Sequence, residues 1–172
     1  MTELRTGEIR SPMRLLVMGN SGSGKTTLAR RLVEEQRLAH LDLDSIVWLP
    51  GESPVMREFA MVRDCLDRFL AQHQAWVIEG CYGELIERAL PACSELIFLN
   101  PGVAVCLSNN LRRPWEPHKY PTQEQQDRML ADLQAWVQSY YIRDDPWSLR
   151  FHRHIFDSFH GPKREFLRVD EA

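Results

Sequence analysis

Lysine is almost absent from this 172-residue chain: only Lys25, Lys119 and Lys163 supply it, and the formal net charge at pH 7 is −3. A protein held to nucleic acid over its whole surface needs an excess of cations to neutralise phosphates. That class is excluded, and only a local arginine-lined groove would leave room for it. Nucleic acid is therefore not an expected partner. No apolar run approaches the ~20 residues of a membrane-spanning helix, so no membrane partner is expected. Residues 1–13 are polar, carry both charge signs and lack the apolar stretch of a secretion signal. They read as a flexible tail, and a cytoplasmic location is expected. The four cysteines, Cys65, Cys81, Cys93 and Cys106, show no short repeated spacing. That pattern indicates free thiols in a reducing compartment rather than a disulfide framework.

With 44% hydrophobic and 26% charged residues, the balance is that of a globular chain. The length suits a single domain over 14–172. Arg14 to Met18 is a continuous apolar run, the mark of a strand buried on both faces. After a Gly/Ser cluster, Leu28, Leu32 and Val33 recur at helical spacing to about Gln36. Further strands are expected at 40–44, 75–80, 95–100 and 165–169. Helices are expected over 59–73, 85–90 and 129–140, and from an Asp145-Pro146 cap and first position to His160. Residues 45–54 read as a loop. Strands alternating with helices predict a three-layer α/β/α fold on a parallel sheet. Ligands in such sheets bind beyond the carboxyl ends of the strands.

Gly19-Asn20-Ser21-Gly22-Ser23-Gly24-Lys25-Thr26 matches G-x-x-x-x-G-K-[ST] at every fixed position, with a strand before it and a helix after it. Glycines let successive N–H groups curl inward around phosphate oxygens, and the following helix adds its positive end. Lys25 would bridge the β- and γ-phosphates, Thr26 would ligate Mg²⁺, and Thr27 continues the cradle. ATP and Mg²⁺ are the expected cofactors.

The D-x-x-G and N-K-x-D motifs of GTPases are missing, and no expected strand ends in the Asp-Glu pair by which motor ATPases activate water. Small kinases remain. Asp42 and Asp44, two apart in an expected strand, would point the same way into the cleft. One would hold Mg²⁺ through water, and the other, with Asp44 favoured, would orient or deprotonate an acceptor hydroxyl. Glu79, an acid ending a buried strand beside Gly80, would hold Mg²⁺ or contact the acceptor, or else bond to the phosphate loop. Arg112 and Arg113 lead into a proline-rich segment, 111–121, that reads as a lid gripping the transferring phosphoryl group. An exposed basic helix end is the alternative. Arg57 would meet an anionic acceptor or is a surface residue. Trp48 and Trp115 would wall the acceptor pocket or pack in the core. His152 and His154 do not form a metal pair, because i and i+2 diverge on a helix.

Gly19 to Ala29, His40-Leu41-Asp42, Trp76 to Tyr82 and Leu96 to Leu99 together resemble the adenylate-kinase-related family called topology modulation protein. More widely they resemble the adenylate and shikimate kinase-like group of P-loop kinases. The resemblance covers roughly residues 14–117. It implies a five-stranded parallel sheet of order 2-3-1-4-5, ATP, Mg²⁺, a mobile lid and an acceptor region at about 45–74. By position, Asp42 and Asp44 resemble the D-x-D of shikimate kinases, Arg57 their acceptor arginine, and Arg113-Pro114 their lid arginine-proline. Glu79-Gly80-Cys81 stands where shikimate kinases carry three glycines, a departure from shikimate as acceptor. The expected activity is transfer of the γ-phosphate of ATP to a small-molecule or nucleotide acceptor. The alternatives are a nucleotide-binding regulatory or nucleic-acid-associated P-loop ATPase without kinase turnover, and a polynucleotide kinase.

Overall fold

A computed structural model describes residues 11–49, 55–117 and 120–168. The first apolar run forms β1 (Arg14–Gly19), and the phosphate loop leads directly into α1 (Lys25–Gln36). Strand β2 (Ala39–Asp42) is followed by a single helical turn, α2 (Asp44–Val47), and by a hairpin of β3 (Trp48–Leu49) and β4 (Val55–Met56). Then come α3 (Phe59–Gln72), β5 (Trp76–Gly80), α4 (Gly83–Ala89), β6 (Glu95–Leu99) and α5 (Val103–Leu111). The chain continues through α6 (Gln123–Ser139), α7 (Leu149–Ser158) and β7 (Lys163–Phe166).

Five strands pair in parallel in the order β2-β5-β1-β6-β7. Counted among themselves, they take the expected order 2-3-1-4-5. Alternate residues of the central strands feed two separate cores. Leu16, Met18, Ile78, Leu96 and Phe98 pack under Val62 and Leu66 of α3, Leu85 and Ile86 of α4, and Ile155 of α7. Leu15, Val17, Val77, Ile97 and Leu99 pack under Leu28 and Ala29 of α1. Burial on both faces is why these strands read as unbroken apolar runs. Truncating a fully buried residue such as Leu66 to Ala costs about 2–5 kcal/mol through lost transfer energy and cavity.

Four expectations about the backbone change. The second strand stops at Asp42, and Leu43 already has helical angles (φ −61, ψ −27). The Asp42 carboxylate causes this break, accepting the Asp44 N–H at 2.9 Å and so favouring a turn over the ladder. Part of the expected 45–54 loop is ordered as α2 and β3, while 50–54 lies outside the described residues. Asp145 does not cap the last helix. It accepts the Trp147 N–H at 2.8 Å, and Ser148 caps α7 instead, accepting the Phe151 N–H at 3.2 Å. The last strand begins at Lys163, before the expected 165. Among the described residues it pairs only with β6, and the polar residues at its start hide that start from pattern reading. Helix α5, unforeseen in the sequence, lies between the fourth strand and the proline-rich segment.

Candidate active site

The phosphate loop is clasped from behind by elements far away in sequence. Asn20 Nδ2 donates to Val137 O of α6 at 3.0 Å, and its Oδ1 accepts the Ser21 N–H at 2.8 Å. Asn109 Nδ2 of α5 donates to Gly22 O at 2.8 Å. Gly22 has φ +78, and a Cβ on it would lie 2.3 Å from the Cys106 carbonyl oxygen. Only glycine permits both that conformation and that approach. Gly24, also left-handed at φ +96, opens α1. That helix has neither a side-chain N-cap nor an acid in its first turn. Its first N–H groups and positive end are thus left to an outside anion. Lys25 is nearly buried and donates from Nζ to Asn20 O at 2.8 Å.

These residues form one side of a cleft of about 1050 Å³, roomy by the standard of ligand sites and sufficient for two small molecules. Ser21, Gly22, Gly24, Lys25, Thr26 and Thr27 line it, together with Asp42, Asp44, Glu79, Gly80, Arg112 and Arg113. Gly19, Asn20, Ser23 and Arg57 are not among the lining residues. Asn20 and Ser23 are buried beneath the loop. Arg57 stands just before α3, and its Nε is buried without a hydrogen-bond partner among the described residues.

Asp42 and Asp44 reach the cleft by a different route from the expected one. They are not side by side on a strand, because Asp44 begins α2. Tyr82 donates its hydroxyl to Asp44 Oδ1 at 2.6 Å and accepts from Trp48 Nε1 at 2.7 Å. Burial, and then the Asp44 charge, push the Tyr82 phenol far above its usual range, so it stays a donor. Glu79 is 2% exposed, and its Oε1 has no hydrogen-bond partner among the described residues. His40 Nε2 lies 3.7 Å from it.

A buried carboxylate with an unsatisfied oxygen asks for a cation. Among the described residues no three His, Cys, Asp or Glu side chains gather into a metal cage. The donor set of Thr26, Asp42 and Glu79 instead suits Mg²⁺, which binds through one or two protein groups together with phosphates and waters. Cys81, also on the wall, has its thiol pushed up to about 12 by burial and is no ready nucleophile.

Two residues that sequence reasoning missed support the wall. His152 is fully buried, with Nε2 2.9 Å from Cys81 O and Nδ1 2.7 Å from the Tyr140 hydroxyl. A carbonyl can only accept, so Nε2 carries the proton and Nδ1 accepts from Tyr140. Burial lowers its pKa to about 4 and keeps the ring neutral. Arg143 lies 3.8 Å over the Trp136 ring and donates to the backbone oxygens of Trp136 at 3.0 Å and Trp147 at 2.6 Å. His152 entered the sequence reading only as half of a rejected metal pair with His154, and Arg143 gave no signal at all.

No curated protein matches the chain. Solved structures resemble it at the level of fold. A gluconokinase from Sinorhizobium meliloti 1021 is 16% identical, with a TM-score of 0.55 over 94% of this chain and 87% of its own. A candidate kinase from Chloroflexus aurantiacus is 19% identical, with a TM-score of 0.53 over 91% and 88%. A shikimate kinase from Acinetobacter baumannii is 16% identical, with a TM-score of 0.45 over 84% and 92%. The family model described as AAA domain matches residues 15–125. That span runs from the first strand through the phosphate loop, Asp44 and Glu79 to the two arginines, and the chain belongs to that family.

Proposed function

We propose that the protein is an ATP-dependent phosphotransferase that moves the γ-phosphate to a hydroxyl of a small-molecule acceptor. One observation carries the reading. A phosphate loop with an uncapped helix N-terminus shares a single cleft with the Asp44 carboxylate, fixed by Tyr82. The first is a seat for the donor phosphates and the second a base for an acceptor hydroxyl. Lys25 leaves Asn20 O to meet the β- and γ-phosphates. Thr26, Asp42 and Glu79 hold Mg²⁺, which when bound with ATP neutralises charge on the phosphate oxygens. Asp44 orients the acceptor hydroxyl and takes its proton. Arg112 and Arg113 face the transferring group, with 111–121 as lid and 45–74 as acceptor region. The order of the motifs further supports placing the chain beside the topology modulation proteins.

A screen of hydroxyl compounds for ADP release from Mg-ATP tests the reading. Acceptor-dependent ADP, with a phosphorylated product and loss of both in Lys25→Ala, is the expected result. ADP release that no acceptor accelerates would favour the regulatory ATPase.

A further inference from the structure

The sheet brings a histidine up behind Glu79, which among the described residues is the most deeply buried carboxylate lining the cleft. Strands β2 and β5 pair so that His40 lies opposite Val77 and Asp42 opposite Glu79. Alternate residues of a strand point the same way. All four therefore share the face that α1 covers, where Val77 packs with Leu28 and Ala29. Asp42 and Glu79 stand at the cleft end of that face and line the cleft. His40 stands one step behind them, with its side chain 25% exposed and outside the cleft wall.

The two side chains meet through atoms that nothing else satisfies. Glu79 Oε1 and His40 Nε2 are both shut off from solvent, and neither has a hydrogen-bond partner among the described residues. They lie 3.7 Å apart. That gap is about 0.7 Å longer than an ordinary N–H···O bond, within the swing of a glutamate side chain. A buried carboxylate is costly until its oxygens are served, and an ionised one only accepts. The imidazole edge of His40 is the donor at hand for Oε1. Oε2 is then the oxygen left to the cleft.

Resting on the phosphotransferase reading, with Glu79 among the groups that hold its cation, we propose that His40 is a positioning residue, whose Nε2 takes Glu79 Oε1 from behind and keeps Oε2 turned to the cleft. Carboxylates that hold metals are commonly fixed by such an outer partner, and loss of the partner costs about ten- to hundredfold in metal affinity.

Nucleotide affinity measured with and without a divalent cation tests this, and it needs neither acceptor nor turnover. Titration calorimetry with the β,γ-imido ATP analogue, run in Mn²⁺ and again in EDTA, gives the gain in affinity that the cation supplies. Glu79→Gln should reduce that gain about tenfold or more. His40→Leu should also reduce it about tenfold. His40→Gln, whose amide reaches the place of Nε2, should keep most of it, and His40→Asn, polar but too short, should not. Affinity in EDTA should hold in all three His40 variants, whereas a merely structural residue would weaken binding in both media. If His40→Leu does not fold, the contrast between His40→Gln and His40→Asn decides. A gain lost in Glu79→Gln but kept in His40→Leu or His40→Asn overturns the inference and leaves Glu79 its cation role. A gain kept in Glu79→Gln, or absent from the wild type, removes that role and the inference with it. Acceptor-dependent ADP release stands apart as the measure of phosphotransfer itself.

Discussion

The Tyr82 hydroxyl donates to Asp44 Oδ1 at 2.6 Å, and this bond joins the loop after β5 to the turn after β2. Trp48 Nε1 donates in turn to the Tyr82 oxygen at 2.7 Å. A carboxylate fixed in this way offers a constant geometry to an acceptor, and placement to within a fraction of an ångström is what makes acid–base groups effective.

Asp44→Asn is expected to lower turnover by roughly 10²–10⁴-fold, the range for loss of a general base. Tyr82→Phe should cost less, about tenfold, since the base remains but loses its orienting donor. Neither should change the melting shift given by Mg-ATP. Steady-state rates beside thermal melts measure both. Loss of the ATP shift in Asp44→Asn would move that residue from acceptor chemistry to Mg²⁺.

Lys25→Ala should remove transfer and shrink the ATP-induced stabilisation. Ligand at 100 times its dissociation constant contributes about 2.7 kcal/mol, so a calorimetric scan resolves the wild-type shift. Among the described residues Lys25 bonds to a loop carbonyl, Asn20 O, and not to the core, so the variant should still fold. An unchanged shift would dissociate the loop from nucleotide binding.

The phosphate loop and the central strands were legible because each leaves a local mark, fixed glycines or apolar runs buried on both faces, whereas the sheet order came only from the family resemblance. Asp44 was legible as a residue but not in its setting, since the turn that carries it depends on the Asp42 carboxylate capping the Asp44 N–H. Asn109, whose amide clasps Gly22 across 87 positions, left no such mark. Helix α5 went unseen as an element, although Cys106 and Asn110 are buried against the loop. Long-range polar partners carry no periodicity, so a single sequence does not disclose them. The edge strand β7 was read two residues late, because its start, Lys163 and Arg164, is polar and lacks the apolar mark of the central strands.

His152 gives a pH signature to stability. Its folded pKa of about 4 lies below the ordinary 6.5, because burial penalises the cation. Between those values the unfolded chain takes up a proton that the folded chain refuses. Stability is therefore whole above about pH 6.5 and declines as pH falls towards 4, by about 3 kcal/mol in all. Denaturant titrations across that window should show the decline, and His152→Gln, less stable at neutral pH, should flatten it. An unaltered slope in the variant would assign the effect to other groups.

The segment after α5 is held in place by bonds that closure must break or carry along. Gln126 of α6 accepts the Glu116 N–H at 2.8 Å and donates to Pro114 O at 3.1 Å. Trp115, 44% exposed, donates from Nε1 to Tyr120 O at 3.0 Å. Arg113 is turned towards Glu116 at 3.3 Å, so gripping a phosphoryl group requires that it leave this partner. Contacts made only in the transition state lower turnover when removed and leave ground-state binding nearly intact. Arg113→Ala should therefore reduce turnover by about 10²-fold or more with little change in ATP affinity, the size seen when a donor to developing charge is lost. Glu116→Gln, which loosens the resting pair, should be far milder. The fluorescence of Trp115, isolated by replacing the other four tryptophans with Phe, should respond to ATP analogue plus acceptor more than to the analogue alone. If Arg112→Ala carries the turnover loss and Arg113→Ala does not, the roles of the two arginines exchange. If neither variant loses turnover and Trp115 stays silent, the segment is a surface loop, and transfer depends on the phosphate loop and Asp44.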